Sequence, residues 1–271
     1  MGRGAAKRSL GQNFLVDPGI AARIVEAAGI AQEDTVVEIG PGRGALTDGL
    51  RGRAKRLICV EKDDALAPAL AARFEADDGV AIVHHDALEL MPLSLPFAGP
   101  YRVVANLPYN MAARITMHLL EDWGDQVLSA TLMYQLEVAA RLAAPAGTKA
   151  YGALSVLVQS FCEVWPLFQV PPGAFRPVPK VQSAVVRLQR REQPLWRGLD
   201  YAWFRRVVHG GFHARRKTLV NSLRHAPGIE LGAAELRAVL EGVGISPDRR
   251  GDSIEVTEFV ALARALAASS G

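Results

Sequence analysis

Asparagine is scarce in this chain, with four among 271 residues. Two of the four stand in one short stretch, Ala105-Asn106-Leu107-Pro108-Tyr109-Asn110, directly after the apolar run Tyr101–Val104. Asn106 brings an amide oxygen, the geometry imposed by Pro108 frees the Leu107 carbonyl, and Tyr109 brings a flat aromatic face. Two acceptors side by side can each take one N–H of an amino group attached to a planar ring, and the aromatic face can stack on that ring. Chemistry of this kind rests on positioning and electrostatics, because no strong general base accompanies the set. The bland alternative is a proline turn. Asn110 has the weakest claim on any ligand and is read as the cap of a following helix.

Three other strand ends carry residue types that bind nucleotides. After Thr35–Ile39 comes Gly40-Pro41-Gly42-Arg43-Gly44-Ala45, whose glycines permit a tight turn and close approach of a ligand to the backbone. Gly40, Gly42 and Ala45 also satisfy G-x-G-x-x-A, so this loop admits NAD as readily as S-adenosylmethionine. About 20 residues on, Glu61 ends the next apolar run, where a carboxylate can accept both hydroxyls of a ribose. Both cofactors contain that ribose. Asp86 follows the third run and can accept from an adenine amino group, although an acid at such a position also caps helices; His84 and His85 read as strand-end or surface residues. The fourth strand end supplies no hydride-acceptor pocket, acid or base for an oxidoreductase. It suits an adenine amine, a poor nucleophile whose lone pair is delocalised into its ring. Two acceptors would make that nitrogen more tetrahedral and turn its lone pair towards a methyl sulfonium.

Positioning four strand ends in one row requires a parallel sheet. Short β-branched runs alternate with helical patterns from residue 20 to about 135: helices at 19–30, 45–53, 65–75 and 113–123, and strands at 35–39, 56–61, 80–84, 101–105 and 127–135. The strands are apolar on both faces, as a helix-covered parallel sheet demands. Two further apolar stretches, 155–170 and 182–189, read as a closing hairpin-like strand pair. The pattern breaks around 191–199, and beyond it every segment reads as helix, at 201–225, 233–242 and 255–268. The expected domains are therefore 1–195 and 196–271.

Composition is that of an ordinary globular chain, 49% hydrophobic and 22% charged. No apolar run reaches the roughly 20 residues that span a bilayer. The basic start, including Arg3, Lys7 and Arg8, lacks the apolar segment of a secretory signal. Cys59 and Cys162 fit neither a metal knuckle nor a redox pair and read as buried thiols, so the expected setting is the cytoplasm and no metal is expected. The net charge of +3 permits a nucleic-acid partner without demanding one.

The runs GQNFLVD (11–17), VVEIGPGRGALT (36–47), VEKD (60–63), HHDAL (84–88), ANLPYN (105–110) and FRPVPKVQSAVV (175–186) resemble the ribosomal RNA adenine dimethyltransferases of the KsgA type, over nearly the whole chain. The resemblance implies an α/β fold: a class I S-adenosylmethionine-dependent methyltransferase, Rossmann-like, with a seven-stranded mostly parallel sheet and a small C-terminal all-helical domain. It implies dimethylation of two adjacent adenines near the 3′ end of small-subunit rRNA. Asn13 and Leu15 become cofactor contacts on this ground alone, while Gly40, Glu61, Asp86 and Asn106 match contacts already read from the strand ends. Phe175 matches an aromatic that would face Tyr109 across the target base, although beside a proline turn it also reads as a core residue.

Residues 205–225 hold six Arg or Lys, three His and no acid. Plotted as one helix, Arg205, Arg206, His209, His213, Arg216, Lys217 and Arg224 fall on one face and Phe204, Val207, Val208, Phe212 and Leu219 on the other. Such a face is a candidate RNA contact, and FHARRKTL matches the part of the family that docks to the ribosomal particle. The expected partner is small-subunit rRNA in the immature 30S particle, with no membrane and a monomeric enzyme. Competing readings are an assembly factor with secondary catalysis, a large-subunit rRNA methyltransferase of the antibiotic-resistance type, and an NAD oxidoreductase.

Overall fold

A computed structural model of the chain describes residues 13–214 and 216–269; Arg3, Lys7 and Arg8 lie outside them. The strands are β1 (Phe14–Leu15), β2 (Thr35–Ile39), β3 (Arg56–Glu61), β4 (Val80–His84), β5 (Tyr101–Asn106), β6 (Val127–Gln135), β7 (Cys162–Val170), β8 (Phe175–Arg176) and β9 (Ser183–Arg190). The α-helices are α1 (Pro18–Ala27), α2 (Thr47–Leu50), α3 (Leu66–Phe74), α4 (Ala112–Glu121), α5 (Leu136–Leu142), α6 (Ala153–Phe161), α7 (Tyr201–Phe212), α8 (Leu219–Arg224), α9 (Ala233–Gly242) and α10 (Val256–Ser269). No helix among the described residues is long and apolar enough to cross a membrane.

Seven strands form one sheet in the order β4-β3-β2-β5-β6-β9-β7. Strands β2 to β6 pair in parallel, and β9 runs antiparallel to β6. The order reverses between β2 and β5, which opens a crevice at their carboxyl ends. Central strands are buried on both faces: Val36, Val37, Leu57, Ile58, Cys59, Val103 and Val104 are each at most 2% exposed. This is why they read as continuous apolar runs rather than alternating ones. Helix α1 starts where Asp17 accepts from the Gly19 and Ile20 N–H groups and Pro18 takes the first position. It buries Ile24 and Val25 beneath the sheet.

The chain divides into two compact units, Met1–Ala139 with Val164–Arg190, and Ala140–Glu163 with Arg191–Gly271. A single cut at 195/196 does not describe this division, because the second unit draws in the segment that contains α6. That segment also differs from its expected form: 155–161 is helix, and only β7 is strand. A continuous apolar run carries no period that separates helix from strand. Polar groups decide it here: the Ser155 hydroxyl donates to the Arg141 carbonyl at 2.6 Å, and the Gln159 amide donates to the Leu142 and Ala144 carbonyls. The helix expected over 45–53 is a single turn, α2. The two-stranded β1–β8 sheet pairs residues some 160 positions apart, and its two-residue strands carry no sequence signal.

In the second unit the helix expected over 201–225 is broken. Helix α7 ends at Phe212, and α8 restarts after Thr218, whose extended backbone and side-chain oxygen cap it. The Ser222 hydroxyl meets the Gly210 carbonyl at 2.7 Å and takes the Ala214 N–H at 2.9 Å, stitching the break shut. The basic residues therefore cannot share one helix face. The apolar half of the pattern holds: Phe204, Val207, Val208 and Leu219 are fully buried. Gly210 and Gly211 do not break α7; they let neighbours approach it. A Cβ at Gly211 would lie 2.6 Å from the Phe259 ring, and one at Gly251 would lie 2.1 Å from the Gly211 carbonyl oxygen. Gly211→Ala should therefore cost about 1–3 kcal/mol by overpacking. Gly251→Ala should cost more, since backbone yields less readily than a ring. Urea midpoints followed by circular dichroism test this, and an unchanged Gly251→Ala midpoint would refute the packing account.

Candidate active site

The strand register assembles the site. Ile39 of β2 pairs with Val60 on one side and with Ala105 on the other. The next residues, Gly40, Glu61 and Asn106, therefore emerge side by side, and His84 pairs with Glu61 to bring Asp86 up two residues later. The Gly40 N–H still donates to the Val60 carbonyl at 2.9 Å. The chain then turns with φ of +67° at Gly40 and +60° at Gly42, a region costly for residues with a Cβ. A side chain at Gly42 would also press the Phe14 ring, at 3.1 Å.

Glu61 is 6% exposed and is held by backbone at both oxygens: Oε2 accepts from the Gly42 N–H and Oε1 from the Asp63 N–H, each at 2.9 Å. The loop and the carboxylate thus fix each other. The Asn106 amide donates one N–H to the Asn13 carbonyl at 3.1 Å, which orients the amide and leaves its oxygen as an acceptor. Asn13, Phe14, Gly42, Glu61, Asn106 and Tyr109 line one cleft, and Leu15 reaches a small recess beneath the loop. Beside it, a cleft of about 260 Å³ is bounded by Gly40, Glu61, Asp86, Leu88, Met111 and Ile115. Asp86 accepts from Lys62 at 2.5 Å and from the Leu88 N–H at 3.0 Å. Burial pushes its pKa up, but these hydrogen bonds win and hold its carboxyl below the usual range. Tyr109 is half-buried, with its hydroxyl 2.7 Å from that of Ser183; burial raises its pKa, against the hydrogen bond from Ser183.

Two expectations fail on burial and capping. Phe175 has no exposed surface and packs in the core with Leu15, Ile24 and Val170, so its ring offers no face to a base. Asn110 does not cap α4: the cap is Met111, without a side-chain hydrogen bond, and Asn110 instead lines the larger cleft. Arg205 and Arg206 stand on α7, Arg216 and Lys217 before α8, and Arg224 at the end of α8, all of them exposed. Sequence reasoning missed Phe14, Lys62 and Ser183, although each stands inside one of the quoted runs, GQNFLVD, VEKD and FRPVPKVQSAVV. It also passed over Glu38, although a lone acid inside TVVEI is a visible anomaly.

Glu38 lies under the glycine loop, 1% exposed, accepting from the Thr47 hydroxyl at 2.6 Å with the Cys59 thiol at 3.6 Å. Burial raises its pKa from 4.5 to about 7, more than these hydrogen bonds lower it. Cys59 and Cys162 are both buried thiols outside any disulfide.

A sheet with this order, a glycine loop after its first parallel strand, and acids at the next two strand ends define the class I, Rossmann-like methyltransferase fold. Solved structures agree. A dimethyladenosine transferase from Plasmodium falciparum superposes with a TM-score of 0.78 at 25% identity, over 92% of this chain and 95% of its own. The 23S rRNA methyltransferase ErmE does so with a TM-score of 0.71 at 28% identity, over 94% and 100%. The family described as ribosomal RNA adenine dimethylase matches residues 3–262, and the chain belongs to that family. The ribosomal RNA small subunit methyltransferase A of Shouchella clausii is 42% identical over 96% of this chain and 89% of its own. That of Geobacter metallireducens is 43% identical over 98% and 97%.

Glu38 yields a pH prediction. A carboxyl whose pKa is raised in the fold contributes stability that is complete below about pH 4.5 and lost as pH rises through about 7. The amount is about 3 kcal/mol. Glu38→Gln should abolish this part of the loss, so urea midpoints of the variant should fall less between pH 5 and pH 8 than those of the wild type. Parallel decline of the two proteins would show that Glu38 does not titrate in this window.

Proposed function

We propose that this protein transfers methyl groups from S-adenosylmethionine to the N6 atoms of two adjacent adenines near the 3′ end of small-subunit rRNA. It would act as a monomer on the immature 30S particle in the cytoplasm, with a part in subunit maturation. The observation that carries the reading is that strand register sets Asn106 beside Gly40 and Glu61, with Tyr109 lining the same cleft. The clefts fit the cofactor. Gly40 and Gly42 allow close approach, Glu61 would accept from the ribose hydroxyls, and Asp86 would accept from the adenine amine between the apolar walls of Leu88, Met111 and Ile115. Asn13, Leu15 and Asn106 would meet the amino-acid end. When bound, the cofactor supplies a methyl group on a cationic sulfur.

The protein's own work is orientation. The Asn106 oxygen and the Leu107 carbonyl each take one N–H of the target amine, which withdraws its lone pair from the ring. Pro108 shapes the turn that presents that carbonyl, and Tyr109 stacks on the base taken out of its helix or loop. The same two acceptors then stabilise the positive charge that develops on nitrogen. Small-subunit relatives at 42–43% identity, against 28% for the 23S enzyme, support the small subunit over the large. The exposed Arg205, Arg206, Arg216, Lys217 and Arg224 supply a sequence-independent hold on the phosphate backbone.

The test is incubation of purified protein with methyl-labelled cofactor and undermodified 30S particles, 50S particles or naked rRNA. Label in 30S adenines is expected; label only in 50S would defeat the assignment. Asn106→Ala should lower the transfer rate by about 100-fold or more while 30S binding persists. Replacing Arg216 and Lys217 together by Ala should weaken RNA binding and reduce the slope of log affinity against log salt by about 1.5. An unchanged slope would take both residues off the RNA.

A further inference from the structure

We infer that Ser183 is a positioning residue for the second methyl transfer, acting through Tyr109; this rests on the reading of Tyr109 as the ring that stacks on the target adenine. Tyr109 lies beyond the end of β5, in the turn before α4, where no ladder of backbone hydrogen bonds fixes it. Its hydroxyl is anchored instead, 2.7 Å from the Ser183 oxygen. Ser183 is fully buried at the first position of β9, the one hydroxyl at the head of the apolar run Ala184–Val186. It pairs with Gln135 of β6, and β6 pairs with β5 through Met133 and Asn106. One rigid sheet therefore holds both the acceptor for the amine and the anchor for the stacking ring. A buried hydroxyl left without a partner is costly, so the two groups hold each other.

The chemistry makes this anchor matter more on the second transfer. Unmethylated adenine offers two N–H groups, one to the Asn106 oxygen and one to the Leu107 carbonyl. Once an N–CH₃ bond has formed as the sulfonium S–CH₃ bond breaks, leaving a neutral thioether, and the nitrogen has lost a proton to solvent, a single N–H remains. The base is then oriented by one hydrogen bond and by its stacking on Tyr109. A ring free to swing would still present the amine for the first transfer and would misplace the methylamine for the second.

The experiment follows single-turnover and multiple-turnover methylation of 30S particles and quantifies mono- and dimethyladenine in digested rRNA by mass spectrometry. In Ser183→Ala the first transfer should slow by about twofold and the second by about tenfold, within the range a single hydrogen bond supports. Monomethyladenine should accumulate, while cofactor affinity stays within twofold of wild type. Ser183→Thr should restore the dimethyl product. Tyr109→Phe removes the same bond from the other side, so it decides the matter should Ser183→Ala fail to fold, and the double variant should be no worse than the poorer single one. An unchanged ratio of products, an equal slowing of both transfers, or additive losses in the double variant would overturn the proposal. A wild-type protein that labels no adenine would overturn the functional reading and this proposal with it.

Discussion

The structure depends on the register of four parallel strands. Ile39 is paired on both sides, with Val60 and Ala105, and that alignment alone brings Gly40, Glu61 and Asn106 into a row. A slip of one residue between β2 and β3 would turn Glu61 to the opposite face of the sheet and separate it from the Gly42 N–H that it accepts. Such a slip is opposed by the core itself, because Val36, Val37, Ile58 and Cys59 are all sealed on both faces. The apolar interior thus specifies the placement of polar groups that it does not touch.

Around that row the polar groups are held by backbone more than by one another. Glu61 takes two main-chain N–H groups and Asn106 gives its amide to a main-chain carbonyl. Backbone partners do not swing between rotamers, so the acceptors are preorganised without strain in the side chains. Glu38 sits one layer below, where burial favours its neutral form; Glu61 and Asp48 add to that preference. Its bond from Thr47 ties β2 to the turn that follows the glycine loop.

The second unit solves a different problem. Its helices approach so closely around Gly210, Gly211 and Gly251 that any Cβ would meet a ring, a side chain or a carbonyl. The tight centre leaves charge to the outside, where Arg205, Arg206, Arg216, Lys217 and Arg224 stand exposed. Arg206 rests over Gly228 and Trp203, so part of its length serves packing.

Much of this was legible in the sequence, for physical reasons. Parallel strands are short and apolar on both faces, so Gly40, Glu61, Asp86 and Asn106 stood out by their position at or just beyond the strand ends. The buried face of α7 was equally plain from its period. What the sequence left open depended on partners far along the chain. Residues 155–161 carry no period that separates helix from strand, and their Ser155 and Gln159 side chains bond to the carbonyls of residues 141–144 in the helical form. Phe175 reads alike as a site residue or a core residue until β8 pairs with β1 and buries it. Thr218 and Ser222 end one helix and begin another, a break that helical periodicity does not register. The hydroxyl that steadies Tyr109 lies 74 residues away, and no local spacing connects them. The sequence by itself determined the five parallel strands, the residues at their ends and the family; the tertiary structure decided the remaining strands, which side chains are sealed and which are anchored, because burial and long-range hydrogen bonds exist only once the chain has closed on itself.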